Sequence, residues 1–96
     1  MAVDLVTATF AGRIGERFQA APTYSGEPLE LVLVSCDESP HARTDHPAFS
    51  LVFHGLGAYH EQQIFALEHA ELGKLDLFLV PVGPIEGGIA YEAVIN

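Results

Sequence analysis

Ninety-six residues, 49% of them apolar and 18% charged, fit one small globular domain, because two independent cores would leave each half too short to fold unaided. Thirteen acidic against four basic residues give a net charge of −9, which argues against a nucleic-acid partner, whose phosphates require a basic face. The single cysteine, Cys36, excludes a disulfide scaffold, and the even spread of Leu, Val, Ile and Phe excludes disorder.

The chain opens Met1-Ala2-Val3-Asp4-Leu5-Val6, with no positive region and an early acid, so no secretory signal is expected. No apolar run approaches the roughly 18 residues that cross a bilayer. The expectation is a cytoplasmic chain, or one exported by a route that leaves no N-terminal mark, without a membrane partner. Thr7 is placed to cap a short helical turn through Phe10 and Ala11, which Gly12 breaks. Phe10, Ile14 and Phe18 are four apart, but Gly12 and Gly15 interrupt them, so a turn or two of helix should plug a sheet.

From Arg17 the period changes to two, and turn residues separate candidate strands at 17–24, 29–36, 48–54, 63–69, 75–82 and 89–95. No room remains for helical crossovers, which parallel strands need. The expected fold is therefore all-β: a small antiparallel β-sandwich or barrel of about six strands with a short N-terminal helical turn, spanning 1–96 as one domain. Hairpin turns are expected at Ser25-Gly26-Glu27-Pro28, Ala70-Glu71-Leu72-Gly73 and 83–88, with the main loop at 37–47.

Alternation assigns the faces. In the second strand Leu29, Leu31 and Leu33 share one side, and Glu30, Val32, Val34 and Cys36 the other. Taking Ala70 to Gly73 as a four-residue loop puts Ile64, Ala66, Leu75, Leu77 and Leu79 on a core face, with Phe65, Leu67 and Phe78 opposite. A strand apolar on both faces needs cover from the N-terminal turn or from a second subunit. Pro81 marks an edge, a bulge or a strand end, because it has no N–H to donate. No internal repeat is visible.

The reactive residues form no catalytic constellation. His41 and His46, with Asp37 and Asp45, have a His-x4-His spacing but lack a third ligand at a typical distance in sequence, so no metal is expected. Cys36 precedes Asp37 and Glu38, whose charge opposes thiolate formation. Ser25 and Ser50 lie outside any Gly-x-Ser-x-Gly, and Glu30, Glu68 and Glu92 occupy strand positions where solvent-facing carboxylates normally fall. His54 and His60 bracket Gly55-Leu56-Gly57-Ala58-Tyr59, a tip where exposure is the default. His69 is explained by a cross-strand contact with Asp76 or Lys74. No cofactor is implied.

Several stretches together carry a resemblance: Pro47-Ala48-Phe49-Ser50-Leu51-Val52-Phe53-His54-Gly55, Phe65-Ala66-Leu67-Glu68-His69-Ala70-Glu71-Leu72-Gly73, Leu77-Phe78-Leu79-Val80-Pro81-Val82-Gly83 and Tyr91-Glu92-Ala93-Val94. With Thr9-Phe10-Ala11 and Ile14-Gly15-Glu16 at the start, the chain resembles, over nearly its whole length, a small bacterial family of domains of unknown function. The resemblance transfers no catalytic residues. It implies an accessory or assembly role beside phage-tail-collar-like and tail-fibre-like proteins. The residues that carry it read structurally, Phe49, Phe53 and Phe78 as core and Gly55, Gly73 and Gly83 as turns.

The expected function is a non-enzymatic protein-interaction or assembly domain that uses an exposed edge or an apolar loop, its partner another protein or a second copy of itself in a homo-oligomer. Leu56 and Tyr59 are the candidate contact residues, with His54 and His60 beside them, unless Leu56 and Tyr59 fold back as a lid. The alternative is a small-ligand-binding barrel or enzyme with a mouth lined by His54, Tyr59 and His60.

Overall fold

Period-two alternation of β-branched, aromatic and leucine residues builds six strands behind one short helix: α1 Thr7–Ala11, β1 Arg17–Pro22, β2 Leu29–Glu38, β3 Phe49–Leu56, β4 Gln63–His69, β5 Gly73–Ile85 and β6 Gly88–Ile95. The computed structural model of the protein describes residues 5–43 and 48–95. Every pairing is antiparallel, and the order β1-β2-β3-β6-β5-β4 closes on itself because β4 also pairs with β1. The sequence's choice between sandwich and barrel is thus decided for the barrel. No helix among the described residues is long and apolar enough to cross a membrane.

Two three-stranded meanders, β1-β2-β3 and β4-β5-β6, form the halves, and residues 57–62 cross one barrel end to join them. The middle strand of each half carries a β-bulge. Val34 is the extra residue between Leu33, opposite Phe53, and Ser35, opposite Val52. Val82 is the extra residue between Pro81, opposite Tyr91, and Gly83, opposite Ala90. Aligning the bulges sets Leu29-Glu30-Leu31-Val32-Leu33-Val34-Ser35 against Leu77-Phe78-Leu79-Val80-Pro81-Val82-Gly83, a local match the chain as a whole hides. The first bulge also turns Cys36 to the inner side, opposite Leu51, where alternation alone had placed it outside.

The β4–β5 hairpin reverses an expected face. His69 stands opposite Gly73, so the loop is Ala70, Glu71 and Leu72, one residue shorter than the four expected from the sequence. Gly73 makes this possible with a φ of 81°, a left-handed value that suits glycine after a three-residue loop. An odd loop sets Phe65 opposite Leu77 and Leu67 opposite Leu75, all buried, while Ile64, Ala66 and Phe78 point outward. Phe78 is accordingly 51% exposed and not core. Gly55 and Gly83 likewise lie within β3 and β5 and not at turns.

Phe18, Leu31, Leu33, Leu51, Phe53, Phe65, Leu67, Leu79 and Tyr91 fill the interior. At one end α1 drives a fully buried Phe10 into the barrel, its ring 6.0 Å from that of Phe49. Val6, not Thr7, is the N-cap, and it offers no side-chain bond; Thr7 instead donates to Glu38 Oε2 at 3.3 Å. Ile14 is left exposed. Ile95 pairs with Phe49, so the first and last described elements meet at this end. His69 is buried here, with a role beyond a cross-strand contact. Its Nδ1 accepts from the N–H groups of Glu71 and Leu72 at 3.0 and 3.1 Å, which puts the ring proton on Nε2, and Nε2 donates to Glu16 Oε1 at 2.6 Å. Arg13 joins the same knot through Glu16 at 3.2 Å and Glu71 at 3.1 Å.

Candidate functional site

The other end is closed by residues 57–62 against the β1–β2 turn. His60, expected at an exposed tip, is instead only 9% exposed. Its backbone N–H donates to the Tyr91 hydroxyl at 2.9 Å, its Nε2 lies 2.8 Å from the Glu27 carbonyl oxygen, and its Nδ1 lies 3.0 Å from that of Ala58. Its ring packs on Phe65 and Tyr91 at centroid distances of 6.0 and 6.5 Å. Gly26 permits this approach, since a Cβ there would collide with the imidazole. Burial pushes the Tyr91 phenol pKa up, opposed by the hydrogen bond it accepts from His60, so the hydroxyl stays neutral.

Gln63 clamps the neighbouring chain. Its Oε1 accepts from the N–H groups of Tyr24 and Ser25 at 2.7 and 3.0 Å, and its Nε2 donates to the carbonyls of Ser25 and Glu61 at 2.9 and 3.1 Å. All four hydrogen-bonding places of a side-chain amide are thereby filled. Gly57 N–H donates to the Gly87 carbonyl at 3.0 Å and ties the crossing chain to the β5–β6 turn.

On this braced end Leu56 and Tyr59 remain 63% and 61% exposed. They border a cleft of about 430 Å³ whose other walls are Glu27, Pro28, Leu29, Ala58 and His60. The lid on the core is therefore His60, while Leu56 and Tyr59 face solvent. His54 stands apart, half-buried on the outer wall of β3 between Val32 and Ala90, so His54 and His60 do not share a barrel mouth. Tyr24 and Gln63 escape sequence reasoning: Tyr24 reads as the last residue of a strand, and nothing in sequence marks Gln63 as inward-facing once the hairpin parity is misread.

The remaining reactive groups are scattered. Glu30 ion-pairs with Arg17 at 3.6 Å and accepts from Gln19 Nε2 at 3.2 Å, and Glu68 flanks the same Gln19 from β4. Glu92 faces Val52 and Val80. Burial, helped by Asp37 and Glu38, pushes the Cys36 thiol up and away from the reactive thiolate. Among the described residues no three His, Cys, Asp or Glu side chains come close enough to hold a metal ion. Asp45 and His46 lie outside the described residues.

The architecture is that of a small closed antiparallel barrel with a plug at each end and a braced apolar rim at one of them. The chain belongs to the family described as domain of unknown function DUF6916, whose model matches residues 5–95. No curated protein and no solved structure shows a significant match.

Proposed function

We propose that this protein is a non-enzymatic interaction domain that contacts another protein through the His60 end of its barrel, with Leu56 and Tyr59 as apolar anchors. The observation that carries this is the pairing of exposure with rigidity: both side chains face solvent, Leu56 from the paired end of β3 and Tyr59 from a crossing chain pinned to β2's leading turn, β6 and the β5–β6 turn. Anchors already fixed lose little freedom on binding, and a tyrosine brings large contact area with few rotatable bonds. Tyr24, 77% exposed on the turn that Gln63 clamps, extends the same rim.

The small-ligand reading has one observation in its favour, a cleft whose volume of about 430 Å³ suits a small molecule. Against it, both ring nitrogens of His60 lie within hydrogen-bond distance of backbone carbonyl oxygens, so a ligand would have to displace these contacts to use the cleft's one imidazole. The finer setting, an accessory to tail-fibre-like or collar-like proteins in a bacterial cytoplasm, rests on the sequence resemblance and on the single thiol.

The test is the double substitution Leu56→Ser and Tyr59→Ser, assayed by pull-down from the native host beside the unaltered domain. The melting temperature should hold while the captured partner is lost, since truncating a central anchor costs about 2 kcal/mol or more. A drop of several degrees in melting temperature, with capture unchanged per folded molecule, would place the functional surface elsewhere.

A further inference from the structure

Closure of the barrel is staggered. The ladder from β5 to β6 runs only from Val80, opposite Glu92, to Ile85, opposite Gly88, whereas the ladder from β5 to β4 runs over residues 73–79. The first half of β5 is thus paired on its β4 side alone among the described residues. An unpaired strand edge offers N–H and C=O groups to any second strand. The side chains along it are patterned: Lys74, Asp76 and Phe78 point outward, and Leu75 and Leu77 are buried. Lys74 makes no ion pair among the described residues, although Glu68 stands opposite it on β4. Phe78 and its cross-strand neighbour Ile64 leave an exposed apolar area at the end of this run.

We propose that a second copy of this chain pairs antiparallel with this edge, β5 against β5, about a two-fold axis at Leu75. Charge complementarity selects the partner and the register. In an antiparallel pair centred on Leu75, Lys74 falls opposite the partner's Asp76 and Asp76 opposite the partner's Lys74, so one opposite-charge contact is made twice. The same register carries Phe78 beyond the partner's strand, over its β4–β5 turn. A ladder this short buries less than the roughly 1,200 Å² of a stable complex, so dimerisation is weak and concentration-dependent. This edge lies on the barrel wall and shares no residue with the Leu56–Tyr59 rim, so either reading stands or falls without the other.

Sedimentation equilibrium up to about 1 mM, a range that reaches weak dimers, tests the register with charge reversals at exposed positions. Lys74→Asp and Asp76→Lys each place like charges opposite one another twice and should weaken dimerisation about ten-fold. Asp76→Lys is the informative single change: it lowers the net negative charge, so a non-specific charge effect would tighten association where the register demands loosening. Mixing the two single variants restores both opposite-charge contacts, and the mixed dimer should regain at least the affinity of the unaltered chain. Monomer at every concentration, singles that dimerise as well as the unaltered chain, or a mixture no tighter than its components would each overturn the proposal.

Discussion

Two histidines, alike in sequence, do different work because of what their ring nitrogens meet. His60 faces carbonyl oxygens with both nitrogens, and His69 faces two N–H groups with one and a carboxylate with the other. The His69 arrangement resembles a catalytic His–carboxylate pair in composition, but no nitrogen remains for a substrate. It is a clasp joining the segment after α1 to the β4–β5 turn. The hydrogen bond from His69, with that from Arg13, holds the Glu16 carboxyl below its ordinary range. A carboxylate depressed in the folded state adds stability above its unfolded pKa, and that contribution fades as pH falls toward the folded value. Melting temperature followed down through the carboxylate range should therefore fall more steeply in the natural chain than in Glu16→Gln, which has no such group to titrate. Parallel curves for the two would remove Glu16 from the acid response.

At the scale of elements, α1 acts through one side chain. Its five residues are too few to be stable alone, and no side chain caps its start, so the packing of Phe10 holds it in place. Phe10→Ala should cost about 3–5 kcal/mol in urea unfolding, as for other large-to-small changes at fully buried aromatics. A loss under about 1 kcal/mol, the surface-like range, would mean the barrel end closes without it. The strands themselves were legible in sequence, because Leu29-Leu31-Leu33 and Phe49-Leu51-Phe53 alternate without interruption. Their closure was not, since it depends on pairings such as Gln19 with Glu68 between distant segments. One extra residue counted in the loop reverses the face of β4 and leaves that of β5 unchanged. Leu75, Leu77 and Leu79 form the inner row on either count, so Phe78 between the last two can only point outward, against its reading as core. The candidate site was half legible: Leu56 and Tyr59 stand out as apolar residues among glycines, but the burial of His60 depends on Glu27 and Tyr91, which local pattern does not reach.

For the whole molecule the governing quantity is a net charge of −9 on a chain of 96 residues. Two copies repel through this charge at low salt, and the two Lys74–Asp76 contacts proposed between them are exposed pairs of small value. Repulsion outweighs those contacts, so self-association should tighten as salt rises from a few millimolar toward physiological strength, where the screening length contracts to about 8 Å. Sedimentation at both salt levels checks this, and weakening with salt would show that the contact pairs prevail over the overall charge.

Since α1 and the end of β6 both converge on Phe49, either end of the described chain leaves the barrel from the same pole. A linker, bead or carrier attached at the start or at the finish would then act as a stalk, holding Leu56 and Tyr59 at the far tip like the head of a pin. Immobilisation through one terminus should thus give the same accessibility of that tip as immobilisation through the other, so the order of a fusion is free to be chosen for expression alone.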